Sequence, residues 1–192
     1  VIRTLRDLAR EPAVREHCEM CGDGLAAAHP HLVNPKEHAL KCACGACALL
    51  FSMPNGAAWK RVESRSERIA GFNLTVAEWE SLSIPINLAF FFRSSVSGRV
   101  TAFYPGPAGM TECLLPLEGW AALVASHPIL GDLQEDVEAL LVNRVNFTRD
   151  HYRTSIDHCY RLAGLIRLHW KGLTGGTAVW AEVSSFFLEL SA

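Results

Sequence analysis

The sequence predicts an α+β fold, with a cysteine-rich N-terminal module attached to a largely antiparallel sheet backed by C-terminal helices. Three observations predict it. Five of the seven cysteines crowd into residues 17–49, which read HCEMCGDGLAAAHPHLVNPKEHALKCACGACAL and carry few apolar side chains. Between residues 87 and 117, short apolar runs alternate with Gly/Pro turns, the pattern of antiparallel strands. After residue 155, two segments carry apolar residues at helical spacing. Strands followed by helices pack as α+β, and 192 residues suit one ordinary domain with a small module added. The expected division is 1–52 for an N-terminal helix and the cysteine-rich module, and 53–192 for the body.

Each element follows from local signals. Residues 1–10 place Ile2, Leu5 and Leu8 on one helical face, ended by Pro12. Ala48–Phe51 is an apolar stretch expected to leave the second cysteine pair as a strand, and Met53–Gly56 is a turn. Residues 58–72 read as one charged strand with a loop. Thr75-Val-Ala-Glu78 is a capping box, so a short helix is expected over 76–82. Asn87–Ser95 and Arg99–Tyr104 form a hairpin around Ser97-Gly98, and Glu112–Leu117 is expected as a third strand, at an edge because of Pro116. Residues 118–126 read as helix and stop before Pro128. A helical turn and then a strand from about residue 138 are expected next, paired with His151–Ser155. Ser155 is placed to cap the clearest helix, Ile156–Lys171, with Cys159, Leu162, Ala163, Ile166 and Trp170 on one stripe; Leu165 and Leu168 predict a second covered face. A last helix is expected over about 177–190. The apolar pattern from Leu88 to Leu190 suffices for a core of its own, so the body is expected to fold without the module.

The cysteines carry the clearest chemistry. Cys18-x-x-Cys21 and Cys44-x-x-Cys47 are separated by 22 residues. Two C-x-x-C bends facing each other set four thiolates in a tetrahedron, the layout of a zinc-ribbon-like site. Gly22 suits the positive φ needed to leave the first bend. Four thiolates also hold iron, alone or in an iron–sulfur cluster, and that alternative stays open. Cys42 adds a third sulfur in CACGAC, as an alternate ligand or as a free thiol beside the metal. The expected ligands are Cys18, Cys21, Cys44 and Cys47, because a C-x-x-C bend aims backbone N–H groups at its first sulfur. Pairing Cys42 with Cys47 loses that support, and pairing it with Cys44 gives a strained bite. His17, His29, His31 and His38 are substitute ligands.

Composition bounds the function. Hydrophobic residues make up 49 % and charged residues 20 %, with a net charge of −2. That is not the electrostatic footprint of a nucleic-acid binder. The apolar runs are too short for a membrane span. Seven cysteines with no secretory signal pattern point to a reducing cytoplasm, and Val1 in place of Met leaves room for native residues upstream. No G-x-S-x-G or phosphate-binding loop occurs, so no catalytic residue is assigned and the reading leans away from an enzyme. Arg93 and Arg144 interrupt apolar strands, and His169 ends the long helix; these three are the candidate binding residues outside the cysteines, for an anionic partner or a pocket rim. Cys113 and Cys159 read as inert thiols, and Asp157 and His158, as helix neighbours, do not form a ready dyad.

Several stretches taken together resemble an uncharacterised bacterial family, a numbered domain of unknown function. They are CxxCG followed by CACxAC, then AFFFRSS, RVTAFYPGPAG, LVNR, IDHCYRLAGLIRLHWKGL and VWAEVSSFF, covering about residues 18–188. Genes of that family are often found near those of actinobacterial-type nickel–iron hydrogenases and their maturation proteins. The resemblance implies a protein partner among hydrogenase subunits or maturation proteins, with an accessory role in assembly or in electron supply. The cysteines of the family pattern fall here on Cys18, Cys21, Cys42, Cys44 and Cys47.

Overall fold

The computed structural model describes residues 16–53, 58–106, 109–113, 119–172 and 175–191. Two antiparallel sheets organise them. The small one has the order β2-β1-β3, with β1 His31–Asn34, β2 Ala39–Cys42 and β3 Lys60–Val62. The large one has six strands in the order β4-β9-β8-β5-β6-β7: β4 Ser66–Arg68, β5 Leu88–Ser94, β6 Arg99–Gly106, β7 Gly109–Glu112, β8 Glu138–Asn143 and β9 Asp150–Ser155. The helices are α1 Gly45–Phe51, α2 Val76–Ser81, α3 Trp120–Ser126, α4 Ile156–His169 and α5 Gly176–Leu190. No helix among the described residues is long and apolar enough to cross a membrane.

The run LAFFF is apolar without alternation because β5 is buried on both faces. Leu88, Phe90 and Phe92 point to one side with Ala139, Leu141 and Tyr152, where α4 and α5 cover them through Ile156, Cys159, Leu162, Ile166, Val179, Val183 and Phe186. Ala89 and Phe91 point to the other side with Ala102, Leu140 and Val142, against Trp79, Leu82, Leu123, Leu130 and Leu133. Burying a phenylalanine in this way stabilises the fold by about 1.5–3 kcal/mol. The C-terminal helices therefore back the sheet as expected, and α2, α3 and their loops cover its second face. Val33 and Val62 of the small sheet join the first core, so the two sheets share apolar contacts.

The local signals hold in detail at several points. Thr75 Oγ1 accepts from Glu78 N–H while the Glu78 carboxylate accepts from Thr75 N–H, completing the capping box. Strands β5 and β6 pair with Ser94 opposite Arg99, and Gly98 takes φ 68° in the turn. Strands β8 and β9 pair along their length, Glu138 opposite Ser155.

Five expectations are corrected. Ala48–Phe51 is not a strand; it is the body of α1, because the second cysteine bend continues directly into helical hydrogen bonding from Ala48 N–H to Cys44 C=O. Residues 58–72 are not one strand: β3 pairs with β1 in the small sheet and β4 pairs with β9 in the large one. The third strand of the meander is Gly109–Glu112, which meets the expected span only at Glu112; residues 114–117 of that span lie outside the described ones. Ser155 stands at the start of α4 without capping it; Asp157 accepts from His158 N–H instead. Leu165 is partly buried, but Leu168 is 76 % exposed, so the second face of α4 is covered only in part. The expected helix over 1–10 lies outside the described residues.

Candidate metal centre

Two short loops bring the cysteines together. In the first, Gly22 N–H donates to Cys18 C=O at 2.7 Å and Cys18 N–H donates to Asp23 C=O at 2.7 Å. Gly22 takes φ 85°, the left-handed turn that its lack of a Cβ allows, and His17 pairs with Gly24 across the base. In the second, β2 ends at Cys42 and α1 starts at Gly45. Cys44 is the residue before the helix, and its sulfur accepts from Cys47 N–H at 3.5 Å. The loops are tied by a reciprocal pair: Glu19 N–H donates to Cys42 C=O at 2.9 Å, and Cys42 N–H donates to the Glu19 carboxylate at 2.7 Å.

The Sγ atoms of Cys18, Cys21, Cys44 and Cys47 all lie within 4.8 Å of one another. Cys21 and Cys44 are 3.8 Å apart, and all the cysteines are free thiols. A tetrahedral ion with metal–sulfur bonds of about 2.3 Å needs sulfurs about 3.8 Å apart, so the set fits a four-thiolate ion. Cys18 and Cys47 are buried with Leu32, Ala43 and Ala48 in a third small core. Burial raises the Cys18 thiol pKa, but backbone N–H groups of Cys44, Met20 and Cys21 outweigh it and draw the value down to about 6. Burial and the neighbouring sulfurs push Cys47 up. Crowded thiols that resist ionising together gain most from a cation in their midst.

Cys42 lies outside this set. It sits on β2 directly across from His31, and its thiol pKa is raised by burial and then by Glu16 and Glu19. His38 packs its ring 5.4 Å from that of Phe103.

The other candidates are dispersed. Arg93 pairs with Glu135 at 2.9 Å at one end of β5. Arg144 lies at the opposite end, its N–H bonded to Asn87 C=O, with its guanidinium donating to Leu74 C=O and standing 5.4 Å over the Trp79 ring. His169 closes α4 on the other side of the sheet. The structure brings none of these three together. Cys159 is fully buried in the core and its thiol is pushed far up by burial.

A cleft of about 380 Å³ is lined by His31, Leu40, Ser64, Asp157, His158, Tyr160 and Arg161. His158 Nε2 is 3.0 Å from Ser64 Oγ, and its Nδ1 is 2.8 Å from Thr154 Oγ1. Burial holds the His158 imidazole below its ordinary pKa, which favours its neutral form. Asp157, 4 % exposed, would be raised by burial, but bonds from His31 and Ser155 bring it down to about 2. His31 and Asp157 are 126 residues apart and Ser64 and His158 are 94 apart; no spacing in the sequence announces either pair.

A family model described as "Family of unknown function (DUF5947)" matches residues 17–192. No curated protein and no solved structure matches the chain.

Proposed function

The chain belongs to the family of unknown function DUF5947, and on that premise we propose that it is a zinc-binding accessory protein assisting the assembly or interactions of a nickel–iron hydrogenase. The observation that carries the metal half is the gathering of four thiols within 4.8 Å on two amide-lined bends. Cys18, Cys21, Cys44 and Cys47 hold the ion, with Cys42 free. All four positions of a tetrahedron are then filled by protein, the mark of a structural rather than a catalytic ion. Zinc suits a site built into a small core of Leu32, Ala43 and Ala48, where the ion's work is to hold chain together. The seven free thiols accord with a reducing cytoplasm.

The hydrogenase half rests on the family resemblance, and one surface supports a protein partner. Leu49, Leu50 and Met53 are 62 %, 64 % and 61 % exposed on and just after α1, the helix that the metal site starts. A two-part organisation belongs to the same proposal: a module over 1–52 and a body over 53–192, with β3 as the strand the body contributes to the module's sheet. Purified protein is expected to be colourless with one zinc per chain. A red or brown protein containing iron would replace this reading with an electron carrier for the same hydrogenase. Co-purification with hydrogenase subunits or maturation proteins, reduced by Leu49→Asp with Leu50→Asp, checks the partner; no association with any of them removes the hydrogenase.

A second reading, an enzyme, has one specific observation behind it: Ser64 against a neutral His158 that Thr154 orients, inside a cleft. That arrangement is a nucleophile beside its base. On this reading a serine-directed fluorophosphonate labels the protein at Ser64, and Ser64→Ala abolishes the labelling. An unlabelled wild-type chain ends it.

A further inference from the structure

We propose a second metal site, formed by His29, His31 and Cys42, that takes a single divalent late transition ion and leaves one coordination position open. The site follows from strand geometry. His31 opens β1 and faces Cys42 on β2 in register, so their side chains share one face of the hairpin. His29 lies two residues before His31, which in extended chain is the same face. One ligand atom from each of the three lies within 4.8 Å of the others.

Both imidazoles are set for metal. His29 Nδ1 is 2.9 Å from Ala26 C=O and 3.5 Å from the Glu16 carboxylate. His31 Nδ1 is 3.0 Å from the Asp157 carboxylate. Oxygen acceptors at both Nδ1 atoms put the protons there and leave both Nε2 atoms with free lone pairs. The His29 side chain is 7 % exposed, and its Nε2 is buried with no hydrogen-bond partner among the described residues. A buried lone pair of that kind lacks a counterpart that a cation supplies. Asp157 completes the pattern: a buried carboxylate that receives the far N–H of a ligating histidine, itself fixed by Ser155 and by His158 N–H. That arrangement orients the ring and raises its basicity toward metal.

Two imidazoles and one thiolate suit zinc, nickel, cobalt or copper, and reject magnesium and calcium. Three protein ligands leave a fourth position for water or an incoming group, whereas the four-cysteine set has none. His31 and Asp157 also line the neighbouring cleft, so the carboxylate–imidazole pair behind the site borders open space. The pair of sites therefore divides the labour, one ion fixed and one exchangeable.

The test is cobalt(II) titration of the full chain already loaded with one zinc, with zinc counted in every sample. One further equivalent of cobalt is expected, showing d–d bands and a thiolate charge-transfer band. Cys42→Ser should lose the charge-transfer band. His29→Ala and His31→Ala should each weaken cobalt binding at least 100-fold, and Asp157→Asn about 10–100-fold. Retention of the first zinc in each variant shows that the module is folded. Failure to take up cobalt beyond the zinc, or uptake unchanged in the His29→Ala/His31→Ala double variant, overturns the proposal. The two sites fail separately: if the four cysteines hold no ion, one cobalt whose thiolate band is lost with Cys42→Ser and kept with Cys44→Ser still identifies this site.

Discussion

Serine in place of Cys44 is expected to strip the tightly held ion from the chain, while serine in place of Cys42 leaves it there. The contrast follows from position. The Cys44 sulfur lies 3.8 Å from Cys21 and receives Cys47 N–H at the start of α1. Cys42 lies on β2, outside the four-sulfur set. Apparent binding of a structural zinc is worth about 10–16 kcal/mol at pH 7, and a site cut from four thiolates to three loses a large part of that. Elemental analysis should fall from one ion per chain to under about a tenth in Cys18→Ser, Cys21→Ser, Cys44→Ser and Cys47→Ser after mild chelation. Chelation of the wild type should loosen the β1–β2 hairpin and α1 while keeping the large sheet, whose buried core comes from residues 72–187 apart from Val33 and Val62. Loss of the metal from Cys42→Ser but not from Cys44→Ser would reverse the ligand assignment. Loss of the entire circular-dichroism signal on chelation would show that the body needs the module.

Glu138→Ala is expected to be among the most destabilising changes at a polar residue of the body. The carboxylate is 2 % exposed at the start of β8. It accepts from Arg153 at 2.6 and 3.2 Å, from Gln134 N–H at 2.9 Å and from the Arg65 guanidinium. Removing one partner of a buried charge cluster costs about 3–5 kcal/mol; Arg65 is half exposed, which places the expected loss near ~3 kcal/mol. Glu138→Gln keeps the shape and one acceptor, so about half of that is expected. Urea denaturation checks both. The pH dependence has a definite sign. Burial alone would raise the carboxyl, but Arg153, Gln134 N–H and Arg65 hold it below its ordinary value of 4.5. Its contribution is therefore complete above pH 4.5 and is lost as the pH falls through the depressed folded value. Wild type should lose more stability than Glu138→Ala over that acid range; equal acid limbs would sink the argument.

The parts of this fold that could be read in advance are those set by neighbours in sequence. Thr75 and Glu78 are three residues apart, and Gly22 directly follows its cysteine, so their geometry is local and was legible. The LAFFF run announced a buried strand because apolar residues on consecutive positions must meet cover on both faces. What lay out of reach depended on distant partners. Ala48–Phe51 is apolar enough for a strand, and only the cysteine bend before it selects helix. Residues 60–68 look continuous, yet their two strands answer to β1 and β9, neighbours that no local signal names. At the site the same split holds. The C-x-x-C pairs were legible as bends, whereas His29 and His31 read only as substitute ligands, because their shared face is set by the pairing of β1 with β2. Asp157 was readable only as a helix-start carboxylate, because its partner His31 lies at the other end of the chain.

The ends of the large sheet carry a consequence for self-association. Any open sheet offers two rows of unpaired backbone groups onto which another chain can add. Here one outer strand, β4, is only three residues long, Ser66–Arg68, and it presents Glu67 and Arg68 to solvent, with Arg68 tied to Asp150 at 2.7 Å. The other, β7, is four residues long and ends in the exposed, charged Glu112. Strands this short, marked by charge, give a passing strand too few hydrogen bonds and force it to desolvate ions. The apolar strands β5 and β8, whose sequences taken alone would favour fibril-like stacking, lie in the interior of the sheet with paired neighbours on both sides. Protection against polymerisation thus comes from the order of the strands, which places the most aggregation-prone segments farthest from any open edge.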